Sequence, residues 1–289
     1  MRRVLFFLCG VLMGFPAWAV DVEEHRTIAS ARRAYESGRH ELAVRLLTRT
    51  LALEKKEKEP VVAVIARAHY DLGLNYRKLR ELDKALEHHR ESLRLDTQAL
   101  GEEHPNIAYS RMALGLVLAD KGESGKALGH FRAALAILQK AEANGGILAD
   151  TRMNMGKALL ASGKAVPAIA EFEQARALRG KLFGLEHPIM ASTYAHIANA
   201  HMVAGAHGKA VQYLEPAMGI LKKKLGAGHI HVAETHLSLA EARLGLKDSA
   251  GAMESLKQAL AIHQKTLGAE HKATAAIAER IRMLAGRKR

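Results

Sequence analysis

The chain has 289 residues, carries a formal net charge of +13, and contains a single Cys. One Cys excludes a disulfide framework and a thiolate metal cluster. The positive surplus speaks to anionic partners or a solvated lysine-rich face, and not to fold. The first predicted element is a secretory signal over residues 1–19. Arg2 and Arg3 precede the apolar run from Val4 to Phe15, and Pro16 and the small-x-small triplet Ala17-Trp18-Ala19 follow it. That run is too short for a bilayer, which takes about 20 apolar residues. Cleavage after Ala19 is expected. The mature chain then starts at Val20 without Cys9 or Trp18, has no transmembrane segment, and is exported to a periplasmic or secreted location. Losing Arg2 and Arg3 lowers its charge from +13 to +11.

From there on the chain repeats. An Ala stands at 43, 85, 127, 168, 210 and 252, in steps of 42, 42, 41, 42 and 42 residues. Twelve residues before each is a small residue: Ala31, Gly73, Gly115, Gly156, Ala198 and Ala240. Four residues after each is a large one (Leu47, His89, Phe131, Phe172, Leu214, Leu256), and seven after is another small one (Thr50, Ser92, Ala134, Ala175, Ala217, Ala259). Small residues at fixed places let two helices approach closely, and the large side chain fills the next layer. A single copy cannot bury its own apolar face, so the copies must stack into an all-α solenoid.

Each copy reads as helix A, a turn and helix B. The units run roughly over 22–60, 61–103, 104–145, 146–186, 187–228 and 229–270, and a capping helix occupies 271–286. Helix A spans Val62–Lys78 in the second unit and Asn106–Asp120 in the third, where Ile107, Met112, Leu114 and Leu118 keep helical spacing. The matching B helices span Asp83–Thr97 and Ser124–Lys140. Gly122, Gly163 and Gly205 fall in the A-to-B turns. Gly101, Gly184, Gly226 and Gly268 follow helix B as C-caps, and Pro105 and Pro188 suit the first turn of the next helix A. Two irregularities stand out. Asn144-Gly145-Gly146 replaces the usual junction in the one 41-residue step, either as a hinge or as a harmless deletion. Pro216 falls inside a B helix, where a kink is expected.

Little here promises chemistry. Of sixteen His, four (His104, His187, His229, His271) belong to the unit junctions, which spreads them along the spine. The densest group, His229-Ile230-His231 with His236, and the pair His196 and His201 lack the helical i, i+3 or i+4 spacing with a converging third ligand that zinc sites use. They read as capping or surface residues. No nucleophile motif, phosphate-binding loop or carboxylate pair appears, so no enzymatic activity, metal or cofactor is expected.

The junctions carry a family resemblance. Leu100-Gly101-Glu102-Glu103-His104-Pro105 returns as Phe183-Gly184-Leu185-Glu186-His187-Pro188, then as Leu225-Gly226-Ala227-Gly228-His229 and Leu267-Gly268-Ala269-Glu270-His271. With the small–small–large–small pattern, and Tyr76 at the usual Tyr position, residues 26 to 284 resemble the tetratricopeptide repeat family, in its 42-residue kinesin light chain subtype and a bacterial exported form. The resemblance implies a right-handed solenoid whose inner wall is built by the A helices. Counting three before, one after and four after the small residue of each helix A, the implied groove includes Tyr70, Arg77, Met112, Met153, Lys157, Asn199 and Met202. Asn154 falls where kinesin light chain repeats hydrogen-bond the backbone of a bound peptide.

The resulting expectation is a non-catalytic scaffold of the cell envelope, holding an extended peptide or a partner helix in that groove. The alternative is an electrostatic binder of anionic envelope lipid or polysaccharide, acting through basic stretches such as Lys222-Lys223-Lys224 and Arg287-Lys288-Arg289. The export signal and the lack of an inward row of aromatics argue against nucleic acid.

Overall fold

The computed structural model describes residues 26–286, and the signal segment over residues 1–19 lies outside the described residues. Among the described residues there are thirteen α-helices and no strand. They are α1 (Arg26–Glu36), α2 (His40–Glu54), α3 (Val62–Lys78), α4 (Leu82–Leu100), α5 (Pro105–Asp120), α6 (Ser124–Lys140), α7 (Gly145–Ala161), α8 (Ala165–Phe183), α9 (Pro188–Val203), α10 (His207–Leu225), α11 (Ile230–Gly245), α12 (Ser249–Leu267) and α13 (Lys272–Gly286). The chain divides into two compact units between Ala158 and Leu159, inside α7.

In the first unit α1 packs on α2, α3 on α4 and α5 on α6, while α2 meets α3 and α4 meets α5. The second unit repeats the scheme, with α9 on α10, α11 on α12, and α8, α10 and α12 each against the following odd-numbered helix. Each unit is thus a stretch of α-solenoid. Gly101, Gly184, Gly226 and Gly268 end α4, α8, α10 and α12 with φ between +79° and +89°, a region that costs Gly little. Arg80 and Lys247 take the same left-handed region in A-to-B turns that lack a Gly. α10 runs unbroken through Pro216, which lies on its exposed side together with Gln212, so the unpaired carbonyl stays on the solvent side.

The periodic residues make the core. All six Ala of the 42-residue series are fully buried, as are the large residues four positions on. The large residue sits directly on the small residue of its own helix A. A Cβ added to Gly73 would lie 2.5 Å from the His89 ring, and one added to Gly115 would lie 2.6 Å from the Phe131 ring. Both distances are too short for any side chain, so these positions admit only Gly. The sequence obeys the matching size rule in every copy. Gly goes with a ring (73 with 89, 115 with 131, 156 with 172), and Ala goes with Leu (31 with 47, 198 with 214, 240 with 256). Burying one such side chain contributes about 1.5–3 kcal/mol.

Successive hairpins are joined by a second periodic contact. Eleven residues after the Ala, helix B turns a buried side chain toward the next helix A. Asp96 Oδ2 accepts from Ser92 Oγ and from Ser110 Oγ on α5, each at 3.4 Å. At the same place Arg179 Nη1 donates to Thr193 Oγ1 on α9 at 2.8 Å. Burial pushes the Asp96 carboxyl up to about 6, against the two serine bonds that pull it down.

Two expectations follow from this packing. His89 is the polar exception among the large residues: neither ring nitrogen has a partner, and burial pushes the imidazole down to about 3. His89→Phe matches the Gly–ring rule and should raise stability by about 1–3 kcal/mol in urea unfolding, the cost of an unsatisfied buried group. A destabilised variant would mean that the imidazole contributes through its polar atoms. For Asp96, the folded value lies above the unfolded value of about 3.9. The folded chain therefore binds more protons between about pH 4 and pH 6, and this residue's contribution to stability falls as pH rises through that window. In parallel unfolding curves, Asp96→Asn should gain on the parent across the window and hold its advantage above it. A constant difference from pH 4 to pH 7 would contradict the shift.

Candidate functional site

In the first unit the A helices α1 and α3 leave a small, shallow cleft between them, lined by Ala31, Arg32 and Tyr35 from α1 and by Asp71, Leu74 and Asn75 from α3. Its floor is polar and locked. Asp71 Oδ2 accepts from Arg67 Nε at 2.8 Å, with both side chains buried. Asn75 Nδ2 donates to the Asp71 carbonyl at 2.8 Å, and its Oδ1 meets His40 Nδ1 at 3.2 Å. The Tyr35 ring stands edge-on to His40, with centroids 5.3 Å apart. Burial pushes the Asp71 carboxyl up while Arg67 and Arg32 pull it down, and burial likewise raises the Tyr35 hydroxyl. The polar side chains around the cleft are engaged with one another and with their own helices, Arg32 Nε also reaching Glu36 Oε1 at 3.4 Å, and Leu74 adds an apolar wall.

The implied groove residues meet different fates. Arg77 is half-buried and donates from Nε to Asp120 Oδ2 at 2.6 Å, tying α3 to α5. Tyr70 is half-buried, its hydroxyl raised by burial, with its ring T-shaped against His89 at 5.4 Å. Met112 and Met153 are the most buried of the set. They are only 8% and 3% exposed. Met112 packs with Ala108, Ala134 and Leu138, and its Sδ is 3.1 Å from Thr151 Oγ1 on α7. At Met112 the side chain is thus closed over by the neighbouring A helix. Asn154 is half-buried and Lys157 is exposed.

In the second unit Asn199 is exposed, and Met202 is half-buried against the cluster of Ala198, Leu214, Val232 and Leu239. The inward register continues on α11 with Leu237, Glu241 and Leu244. Arg280 Nη1 of α13 reaches Glu241 Oε1 at 3.3 Å, and Leu244 is 36% exposed. Sequence reasoning missed Arg32, Tyr35, Asp71 and Asn75. A signal for them exists. Asp71 is an acid two residues before the small Gly73, where other copies carry Ala113, Asn154, His196 and Ser238, and Arg67 stands one turn before it.

The basic stretch at the end of α10 is less free than its composition implies. Lys223 pairs with Glu186, as Lys140 pairs with Glu103 two joints earlier, whereas Lys222 and Lys224 are exposed. Exposed pairs of this kind are screened by solvent and contribute little. Among the described residues no group of three or more His, Cys, Asp or Glu could hold a metal ion, and no helix is long and apolar enough to cross a membrane.

Comparison with known proteins places these features. Tetratricopeptide repeat models match residues 64–140 and 190–265, with others over 28–99 and 148–189. A search of curated proteins finds no match. Among solved structures, a Podosopora anserina protein assigned as a kinesin light chain, with nearly identical TPR-like repeats, is 25% identical, with a TM-score of 0.63 over 70% of this chain and 95% of that one. BtubC (BKLC) from P. vanneervenii is 18% identical, with a TM-score of 0.64 over 88% of this chain and 94% of its own. The apo form of RapI is 12% identical, with a TM-score of 0.65 over 91% and 97%. The last two likenesses speak to the fold alone.

Proposed function

The chain belongs to the tetratricopeptide repeat family, and on that premise we propose that it is a non-catalytic scaffold of the cell envelope that holds an extended peptide or partner helix along its A helices. Proteins of this family act as protein-interaction scaffolds, and no enzyme family is indicated. The observation that carries the peptide reading is the cleft between α1 and α3, where the locked pair Asp71–Asn75 and the Arg32 guanidinium face the same space as Leu74. Main-chain groups of an extended segment would be oriented there, and the apolar wall would select a side chain. A related fold gives an analogy: YrrB, 17% identical with a TM-score of 0.50, is described as a TPR protein with an unusual peptide-binding site.

The wall and the basic edge make different demands. We expect Leu74→Asp to reduce retention on an immobilised array of short extended peptides by roughly tenfold or more, the cost of placing a charge in an apolar contact. Lys222→Gln with Lys224→Gln should leave retention unchanged. The reverse pattern, with binding to anionic phospholipid vesicles that disappears at high salt, would replace the groove by the electrostatic alternative.

The envelope location rests on the signal at residues 1–19. Mass analysis of protein from its native host should give a chain beginning at Val20. Full-length chain in the cytoplasm would overturn that part of the proposal.

A further inference from the structure

Four A helices start with the same atom doing the same job. His104, His187, His229 and His271 each precede a helix, and each turns Nδ1 back to accept the backbone N–H two residues on. The donors are Asn106, Ile189, His231 and Ala273, all at 3.2 Å. An imidazole can accept there only when Nδ1 is bare and the hydrogen sits on Nε2. The irregular junction supplies a natural control. Before α7 the cap is Asn144, whose Oδ1 accepts from Gly146 N at 2.6 Å, and an amide does not titrate. Val61, ahead of α3, has no side-chain cap.

We propose that these four caps make the repeat junctions an acid-sensitive device. Protonation turns each acceptor nitrogen into a donor aimed at another N–H, and it places a positive charge at the positive end of a helix dipole. The stability they lend therefore belongs to the neutral imidazole and is lost when the ring is protonated. The surrounding groups do not offset this. Glu103 and Glu186, next to two of the caps, are already engaged by Lys140 and Lys223. His229 lies 5.0 Å from the ring of His231, whose own Nδ1 meets Glu234 Oε2 at 2.7 Å. His187 stacks on Phe183 at 5.0 Å. Glu102 and Glu270 are the remaining nearby carboxylates in the junction sequences, against Lys181, Lys222, Lys224, Lys265 and Lys272. The caps are distributed unequally. The first unit has one, on α5, and the second has three, on α9, α11 and α13, so the second unit is the more acid-labile at its helix starts. This inference does not depend on the proposed ligand.

The test compares the full chain with a variant carrying His104→Asn, His187→Asn, His229→Asn and His271→Asn, which copies the Asn144 junction four times. Burial disfavours the charged form of His69, His88, His89, His130, His201 and His236, so these also lower stability in acid, but they are common to both proteins and cancel in the comparison. Melting temperatures at about pH 8 and pH 5 should show the acid-induced drop smaller in the variant by roughly 5 °C or more. An equal drop in both proteins would overturn the proposal. If the variant does not fold, amide resonances of the parent decide. On acidification the N–H groups of Asn106, Ile189 and Ala273 should shift together while that of Gly146 holds still. Three unmoved resonances, or a matching shift at Gly146, would overturn it.

Discussion

The contact on which the rest of this structure depends is that of one small residue on helix A against one large residue on helix B. Gly73 lies under His89 and Gly115 under Phe131 with no room for a methyl group. Gly156 with Phe172 repeats the pairing, and the remaining three copies hold to the same sum of sizes by pairing Ala with Leu. That contact sets the distance between the two helices of a hairpin, and with it the angle at which the apolar faces look outward. Once every hairpin has the same spacing, each offers its neighbour the same surface, and stacking becomes the only way to cover it. The fully buried Ala at the centre of each copy belongs to this constraint, since a larger residue there would force the hairpin apart.

Polar groups then act on a frame that apolar packing has already fixed. Asp96 with Ser110 and Arg179 with Thr193 occupy one register and bridge one kind of joint, though their chemistry differs. The frame tolerates acid, base or aliphatic residues there, because Leu138 and Leu221 fill the same position in other copies. The junction His and the cleft floor are more specific. An imidazole Nδ1 caps the helix start, and Asp71 keeps its place through Arg67 and Asn75.

Much of this was legible in the sequence because the period is long and strict. The third helix B, read as Ser124–Lys140, has those bounds, and α3 likewise spans Val62–Lys78 as read. Harder to see was which inward-register residue stays clear of the next helix. Met112 and Met153 share the register of Tyr70, yet both are buried, Met112 with its Sδ against Thr151 of α7. That depends on the distance between A helices, which no single copy encodes. The cleft was missed for a related reason: half of it comes from α1 and half from α3, so no single copy encodes it. The break at 144–146 read as a hinge or a deletion, but at its helix start it is a substitution of caps, with Asn144 doing the work of His.

The size rule is the claim to test first, and a double-mutant cycle on the third copy tests it directly. Gly115→Ala alone puts a Cβ 2.6 Å from the Phe131 ring and should destabilise the chain strongly. Phe131→Leu alone leaves a gap. Together they rebuild the Ala–Leu pair that three other copies use, so the double variant should be more stable than Gly115→Ala, with a coupling of about 1 kcal/mol or more. If Gly115→Ala costs the same with Leu as with Phe at 131, the two positions do not constrain each other, and the account of how this fold is held is wrong.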